Sequence, residues 1–285
     1  MNTFQIKSYC KINLTLKVVS KLNNGYHNIA SLITFSDLHD NISISKINKH
    51  KDKIVFLGKF RKGINKKSNT VTKVLKLLRS KNLLKDQFFK INVKKNIPHG
   101  SGLGGGSSNA ADLLNYFDNK IKLKMNKKKK LARKIGFDVP ISLERKNSFL
   151  TGKKDEILRL KKNFNLNLLI VYPNLICSTK EIFKQNKKRG VLKLPYFFNK
   201  NDNKKIINFL KFENNDLEET AIKIYPKIKK IINYIQSQKG CYFSRITGSG
   251  SACIGIFSNM KNALYAKKMI KLKYPKYWCA VSKTM

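Results

Sequence analysis

The chain has 285 residues, 41% of them hydrophobic, which suits one large or two ordinary domains with a buried core. No apolar run approaches the length of about 18 residues that spans a membrane, and the first residues do not form a hydrophobic signal segment. Five scattered cysteines form no Cys-x-x-Cys pair and do not cluster with the four histidines. We therefore expect a cytoplasmic protein with reduced thiols, no zinc site and no membrane partner.

The charge balance is strongly basic, with 60 Lys and Arg residues against 16 Asp and Glu residues and a formal net charge of +44. Such a field attracts nucleic acids and small anions alike. However, only 7 of the basic residues are Arg, the lysines are spread through nearly every segment, and Asn and Ile, whose codons are also AT-rich, are abundant. Codon bias therefore explains the excess, and we do not expect nucleic acid as a partner.

The first predicted strand, 10–18, has apolar residues on one face and polar residues on the other. Lys11 and Asn13 share the polar face, about 6–7 Å apart. A solvated face is the ordinary environment of such residues, and a functional site is the alternative. The features that follow are a turn at 23–25, Tyr26, His27 and strands at 29–36, 40–47 and 53–58.

A glycine-rich stretch between a strand and a helix is the most informative motif. After an amphipathic helix at 69–84 that Asn69 caps, the strand 88–95 alternates apolar and polar residues. Five glycines follow within 100–106, and the Ser-Ser-Asn at 107–109 offers N-caps for the next helix. Unpaired N–H groups and the helix dipole favour an anion there, and glycine lets the backbone approach it. We therefore predict a loop that binds a nucleotide triphosphate.

Three other phosphate loops do not fit this stretch. Residues 100–105 match the dinucleotide pattern G-x-G-x-x-G, but the basic segment 122–130 holds no carboxylate for a ribose. No Gly-Lys-Ser/Thr follows Gly106, as a Walker A loop requires. The His-Arg-Asp and Asp-Phe-Gly motifs of protein kinases do not occur.

Asp138 stands where a basic helix, 127–135, gives way to an extended residue before Pro140. An acidic residue at such a corner is ordinarily a cap or a turn former. Strands are predicted at 148–160 and 165–172, with a domain boundary between 150 and 165.

The C-terminal part is predicted to hold a short helix, further helices and a second glycine turn. Ser178 and Glu181 form a capping box before Phe183, which on pattern alone is a core residue. The glycine turn, Thr247-Gly-Ser-Gly250, lies between two strands. The remaining predictions are a loop at 187–200, helices at 202–212 and 216–238 with a break before Pro226, a helix at 259–272 and a strand at 277–282.

These motifs together resemble the GHMP kinases. The core Pro98-x-x-x-Gly-Leu-Gly is similar to their phosphate loop, and Thr247–Gly250 is similar to their second glycine turn. The longer run from Gly102 to Ala111 resembles the branch that phosphorylates the 2-hydroxyl of 4-diphosphocytidyl-2-C-methyl-D-erythritol in isoprenoid precursor synthesis. Three further motifs match that branch in order: Lys11-x-Asn, Gly-Tyr-His27 and Gly-x-Asp138-Val-Pro. The segment 152–156 departs from the family's Gly-x-Gly-Glu, which puts a local turn in doubt.

The resemblance implies an α+β, two-domain GHMP kinase fold whose N-terminal half is similar to ribosomal protein S5 domain 2. It implies an ATP-binding domain over 1–155 and a C-terminal domain over 156–285. It further implies ATP and Mg²⁺ as cofactors, a small-molecule substrate that carries a cytidine diphosphate group, and a monomer or weak homodimer. The protein ligands of Mg²⁺ stay unassigned, because the extra glycines obscure which loop Ser corresponds to the family's ligand.

Roles follow residue by residue from the same resemblance. Asp138 would be the catalytic carboxylate and Lys11 its partner beside the reacting hydroxyl, while Tyr26 and Phe183 would enclose the cytosine and His27 would read its edge. The positions implied for ATP are Asn69, Pro98, His99, Gly100, Ser101, Gly102, Leu103, Gly104, Gly105, Gly106, Ser107 and Ser108. Those implied for the substrate are Asn13, Tyr26, His27, Lys95, Phe183, Gly248, Ser249 and Gly250.

Two alternatives stay open at this point. Another GHMP kinase would lack the cytosine clamp and act on galactose, homoserine or mevalonate. An RNA-binding module would use the S5-like half and the positive field, and its affinity would fall steeply with salt.

Overall fold

The computed structural model describes residues 3–23, 25–153, 156–161, 163–195 and 202–285. Their contacts divide the chain into two compact units made of interleaved segments. The first unit is Met1–Lys11, Leu38–His99 and Gly104–Arg145, and the second is Ile12–Asp37, Gly100–Leu103 and Lys146–Met285. These units are defined by contacts within the structure and do not test the predicted domain boundary at residue 155, which stays a prediction.

Strands and helices alternate irregularly along the chain, as an α+β protein requires. In chain order they are β1 (Phe4–Asn13), β2 (Lys17–Lys21), β3 (His27–Ile47), β4 (Lys53–Leu57), α1 (Thr70–Arg79), β5 (Phe88–Lys94), α2 (Gly105–Ile121), α3 (Met125–Ile135), α4 (Val139–Ser142), β6 (Ser148–Thr151), β7 (Ile157–Arg159), β8 (Asn167–Tyr172), α5 (Thr179–Gln185), α6 (Asn203–Phe212), α7 (Glu218–Ile224), α8 (Lys227–Gln236), β9 (Cys241–Ile246), β10 (Cys253–Phe257), α9 (Met260–Lys273) and β11 (Trp278–Lys283).

In the first unit, β5 is a central strand. It pairs antiparallel with the second part of β3, from Asn41 opposite Lys94 to Ile47 opposite Phe88, and parallel with β4. The apolar side chains at 89, 91 and 93 are buried and Lys90 and Lys94 are exposed, so the predicted alternation is confirmed. The apolar faces of α1, α2 and α3 pack in the same core; its largest fully buried side chains include Phe89 and Phe117.

In the second unit, a four-stranded antiparallel sheet has the order β11-β8-β10-β9. The apolar faces of α8 and α9 join its core, with Ile228, Ile235 and Ile270 buried. Helix α7 ends at Ile224 and α8 begins at Lys227, which confirms the break predicted before Pro226. The first part of β3 pairs with β2 and β6, and β6 pairs with β7.

Several predicted boundaries are wrong. The strand predicted at 10–18 ends at Asn13, and Lys11, Asn13 and Thr15 are buried rather than solvated. The strands predicted at 29–36 and 40–47 are one strand, β3, and the helix predicted to reach residue 84 ends at Arg79. The strand predicted at 148–160 is two short strands, β6 and β7.

Some predictions lie partly outside the described residues. The affected parts are the middle of the turn at 23–25, residues 154 and 155 of the strand predicted at 148–160 and of the departure at 152–156, three positions of the boundary predicted between 150 and 165, and the end of the loop at 187–200. Across the described part of the chain, no helix combines the length and the apolar character that a bilayer span needs.

Candidate active site

Lys11 and Asp138 form an ion pair in the first unit. Strand β1 presents Lys11, and Asp138 occupies the corner between α3 and α4, where its side chain makes no capping hydrogen bond. Lys11 Nζ lies 3.1 Å from Asp138 Oδ2, and the two side chains are 4% and 45% exposed, respectively. The ammonium is therefore held inside the protein, while the carboxylate can reach a molecule in solution.

Gly104 places this ion pair beside the start of α2. Its backbone has a φ of 64°, and a Cβ at this position would lie 2.9 Å from Lys11 Cε and 3.1 Å from Lys11 Cβ. Both facts favour glycine, since a side chain would be strained and would displace the lysine stem. The structure thus brings together the two predicted catalytic residues and one glycine of the predicted loop.

Among the described residues, no side chain caps the start of α2. The helix begins at Gly105 with Gly104 as N-cap, so the prediction of Ser107, Ser108 or Asn109 as the cap is wrong. Residues that lack a capping side chain leave the first N–H groups available to a bound anion. The Ser108 hydroxyl is buried and has no hydrogen-bond partner among the described residues, so it too can meet a ligand.

A buried polar cluster lies behind the same helix. Lys95, predicted to bind substrate, is 3% exposed at its side chain, where it forms an ion pair with Asp40. Lys95 Nζ also donates to Asn109 Oδ1 at 3.0 Å, and Asn109 Nδ2 donates to Ser8 Oγ at 3.0 Å. Asp40 was not predicted as a site residue, because no local pattern connects residue 40 with residue 95; only the register between β3 and β5 does so.

The middle of the glycine loop packs against the second glycine turn inside the second unit. The Ser101 carbonyl accepts the Ala252 N–H at 3.0 Å, and a Cβ on Gly102 would collide with the Thr247 carbonyl. A Cβ on Gly248 would lie 3.1 Å from the Gly102 carbonyl oxygen. The structure therefore brings together two of the predicted loops through contacts that only glycine permits.

Side chains from elsewhere in the second unit support this turn. The Thr247 hydroxyl accepts the backbone N–H of Asn13 at 2.8 Å, and Asn215 Nδ2 donates to the Gly248 carbonyl at 2.8 Å. The Ser249 hydroxyl bonds to the Thr179 hydroxyl at 2.8 Å. Asn215 was missed by the sequence analysis, since an Asn in a polar segment carries no signal of its own.

His27 and Phe183 are in contact in the second unit. Their rings stack with centroids 5.1 Å apart and planes inclined by 26°. Burial lowers the pKa of the His27 imidazole below its usual value, and the charges of Arg189 and Lys21 lower it further. Tyr26, the next residue of the predicted cytosine site, is half-exposed. The neutral imidazole and the ring beside it suit an uncharged aromatic ligand.

Two residues predicted to bind ATP, Asn69 and His99, differ in their hydrogen bonding. Asn69 is the N-cap of α1, as predicted: its Oδ1 accepts the Thr72 N–H at 2.9 Å, and its Nδ2 donates to the Asn65 carbonyl at 2.8 Å. Its amide is thus engaged within the protein. His99 Nδ1 is buried without a hydrogen-bond partner in the described part of the chain.

Two family models match this chain. The model of the GHMP kinases N terminal domain matches residues 69–145, and that of the GHMP kinases C terminal matches residues 197–275. The 4-diphosphocytidyl-2-C-methyl-D-erythritol kinase of Pelagibacter ubique is 41% identical over 287 aligned positions, which cover 100% of both chains. The same kinase of Wolbachia pipientis wMel is 34% identical and covers 98% of this chain and 97% of its own.

The fold has a counterpart among solved structures. A crystal structure of 4-(cytidine 5'-diphospho)-2C-methyl-D-erythritol kinase superposes with a TM-score of 0.78 at 22% identity and covers 98% of this chain and 99% of its own. The predicted two-domain α+β GHMP kinase fold is thereby confirmed. Because the relatives match over their whole length, the chain belongs to the GHMP kinases, within the family of the 4-diphosphocytidyl-2-C-methyl-D-erythritol kinases.

Proposed function

We propose that this chain transfers a phosphoryl group from ATP to the 2-hydroxyl of 4-diphosphocytidyl-2-C-methyl-D-erythritol. Relatives that carry this activity in their names match the chain from end to end. The single observation that best supports the chemistry is the 3.1 Å ion pair between Lys11 and Asp138, whose carboxylate is accessible beside the start of α2.

The proposed chemistry depends on positioning, since the acceptor is a tertiary alcohol, which is crowded and a poor nucleophile. Asp138 accepts the hydroxyl proton during the transfer, and Lys11 orients that carboxylate and offsets the developing charge. The buried ammonium suits this role, because at 4% exposure the surrounding protein holds it in place beside the carboxylate.

The start of α2 fits a triphosphate with its metal ion. Here ATP would supply the phosphoryl group, and Mg²⁺ would neutralise charge on the phosphate oxygens. The residues that would hold them are the backbone amides from Gly100 to Ser107 and the Ser108 hydroxyl, which is buried and unpaired among the described residues. A hydroxyl in that position is suited to ligating Mg²⁺, as in other phosphate loops. Asn69, Pro98 and His99 would border the nucleotide.

The second unit would recognise the acceptor. In this proposal, Tyr26 and Phe183 enclose the cytosine ring, and neutral His27 accepts a hydrogen bond from the cytosine amino group. Asn13 and the turn Gly248-Ser249-Gly250 would lie along the rest of the acceptor and the transferred phosphate. The stacked rings of His27 and Phe183 support the aromatic part of this assignment.

An acceptor panel tests the proposal. The purified protein is incubated with ATP, Mg²⁺ and, separately, the cytidyl substrate, homoserine, mevalonate and galactose, and the formation of ADP is measured. We expect turnover with the cytidyl substrate at a rate at least 100-fold above the others. Equal or faster turnover of another alcohol would point to a different GHMP kinase. If no acceptor is phosphorylated while RNA binds with a steep salt dependence, a binding module is favoured instead.

A further inference from the structure

We infer that Asp40 is a positioning residue for this kinase: its carboxylate fastens both ends of the glycine loop, through the exit of β5 and the first turns of α2. The inference rests on the proposed function, since it assumes that the loop binds the triphosphate. Asp40 belongs to neither glycine motif and lies in β3, about 60 residues before the loop.

The carboxylate of Asp40 contacts four donors. Its Oδ1 accepts the backbone N–H groups of Asn96 at 2.7 Å and Ile97 at 2.9 Å, which are the residues that lead from β5 into the loop. Its Oδ2 pairs with Lys95 Nζ and accepts Asn109 Nδ2 at 3.1 Å, and Asn109 is in the second turn of α2. One side chain therefore bonds to the chain before the loop and to the helix after it.

Lys95 completes this connection. Its ammonium is shared between Asp40 and Asn109, and it lies 3.4 Å from the point where a Cβ on Gly105 would stand. A side chain at Gly105 would also meet Ile97 Cγ2 at 3.0 Å. The first residue of α2 is thus packed directly on the pair, and a shift of the pair would move the amides that receive the phosphates.

Overall stability does not explain this buried ion pair well. Asp40 is 0% and Lys95 2% exposed, and a buried ion pair is often no more stabilising than apolar residues of similar volume. What the pair adds is directionality, since four hydrogen bonds of a carboxylate define one arrangement of the loop ends. Alignment of the N–H groups is the property on which anion binding by a loop depends.

A matched control is available on the same helix. Asp112 is 5% exposed, its Oδ1 lies 2.6 Å from Arg145, and burial raises the pKa of its carboxyl. Asp112 is thus a second buried carboxylate of the first unit, and among the described residues its side chain bonds to Arg145 and Ser8 rather than to either end of the glycine loop. If the two pairs acted only through overall stability, their removal should have similar effects on nucleotide binding. If the Asp40 pair positions the loop, only its removal should lower nucleotide affinity.

The test compares two charge-balanced double variants. Asp40→Asn with Lys95→Met is set against Asp112→Asn with Arg145→Met, and the single variant Asp40→Asn is included to keep Lys95. The Kd of a non-hydrolysable ATP analogue with Mg²⁺ is measured by calorimetry for each, together with Tm. Direct nucleotide binding needs no acceptor, so it separates this inference from the identity of the substrate.

We expect at least a ten-fold weaker Kd for the analogue in both Asp40 variants, and a change within two-fold in the Asp112 control. In steady-state assays of the folded variants, KM for ATP should rise more than KM for the acceptor. The inference is overturned if the folded Asp40 double variant binds the analogue within two-fold of the wild type. It is also overturned if the control loses as much affinity at an equal Tm.

Discussion

The unequal exposure of Lys11 and Asp138 determines what this pair contributes. The carboxylate is 45% exposed, so the attraction is screened by water and adds little to the free energy of unfolding. For catalysis the same geometry is useful, since a buried cation orients an acid that can still reach a substrate. A substitution at this pair should therefore change rate far more than stability.

Asp138→Asn tests this separation. The amide keeps the shape but cannot accept a proton, so we expect kcat to fall by about 10²–10⁴-fold, with Tm changed by no more than a few degrees. Lys11→Ala should lower kcat by a similar factor. Steady-state kinetics and thermal unfolding measure the two effects.

The control is Glu219→Gln, which removes an exposed ion pair in which Lys188 Nζ lies 2.6 Å from Glu219 Oε2. Its kcat should stay near that of the wild type. Near-normal turnover in Asp138→Asn, or an equal loss of kcat in the control, would show that the carboxylate has no catalytic role.

The protonation of His27 should make substrate binding depend on pH. Its lowered pKa means that the neutral imidazole persists below the usual imidazole value of about 6.5. Protonation replaces the acceptor on the ring with a donor, which opposes the donor amino group of cytosine. The substrate should thus bind well at neutral pH and weaken only as the pH falls through the lowered pKa.

We expect KM for the cytidyl substrate to stay constant from about pH 8 to the usual imidazole pKa of about 6.5 and to rise below it. In His27→Gln the KM should be higher and the acid rise should disappear, while His50→Gln should behave as the wild type. If KM still rises at low pH in His27→Gln, a group other than His27 is responsible for the titration.

At the scale of elements, the start of α2 shows what sequence can and cannot predict. The strand β5 and the cap of α1 follow from alternation and from a good N-cap residue, and both were predicted correctly. The cap of α2 was not, since Ser and Asn are the preferred caps and stand three to five positions further on. Gly104 starts the helix instead, because its positive φ and missing side chain make room for Lys11.

Gly104→Ala tests this close approach. The positive φ alone costs about 1 kcal/mol, and the new methyl group would displace the Lys11 stem, so we expect kcat to fall by at least ten-fold. Gly106→Ala is the matched comparison in the same helix: its φ is not in the left-handed region, and its Cβ would meet Thr70 Oγ1 at 3.4 Å, an ordinary contact.

Gly106→Ala should consequently lose much less activity than Gly104→Ala, as kcat measured at saturating substrates would show. Equal losses in both variants would mean that loop flexibility, rather than the contact with Lys11, explains the glycine at position 104.

Pairings between distant segments account for most of what the sequence analysis missed. The Lys11–Asp138 pair was predicted only through the resemblance to a family, because nothing in the pattern near either residue connects them. Asp40 stayed unnoticed, since its partners depend on the register of β3 against β5. Local patterns predict elements well, but they carry no information about which polar side chains meet in the core.

At the scale of the whole molecule, the formal net charge of +44 should act on kinetics. ATP and a diphosphate acceptor are both anions, and a positive field raises their rate of encounter. Raising the ionic strength from about 0.02 to about 0.2 M shortens the Debye length about three-fold. We expect kcat/KM for both substrates to fall several-fold over this range while kcat stays constant.

Stopped-flow binding of the ATP analogue would locate the effect in the association rate, and an added neutral osmolyte of equal osmolality is the control. A kcat/KM that does not respond to salt would leave the basic composition without a kinetic role. A salt-dependent kcat would contradict the steering explanation as well.

The central claim is that the protein phosphorylates a tertiary hydroxyl, and the position of the phosphate tests it most directly. The product of the reaction with 4-diphosphocytidyl-2-C-methyl-D-erythritol is analysed by proton-coupled ³¹P NMR. The carbon that bears the 2-hydroxyl carries no hydrogen, so we predict one new phosphate monoester signal that is a singlet. A doublet or triplet, which phosphate on a neighbouring hydroxyl would give, or no new signal at all, would contradict the account.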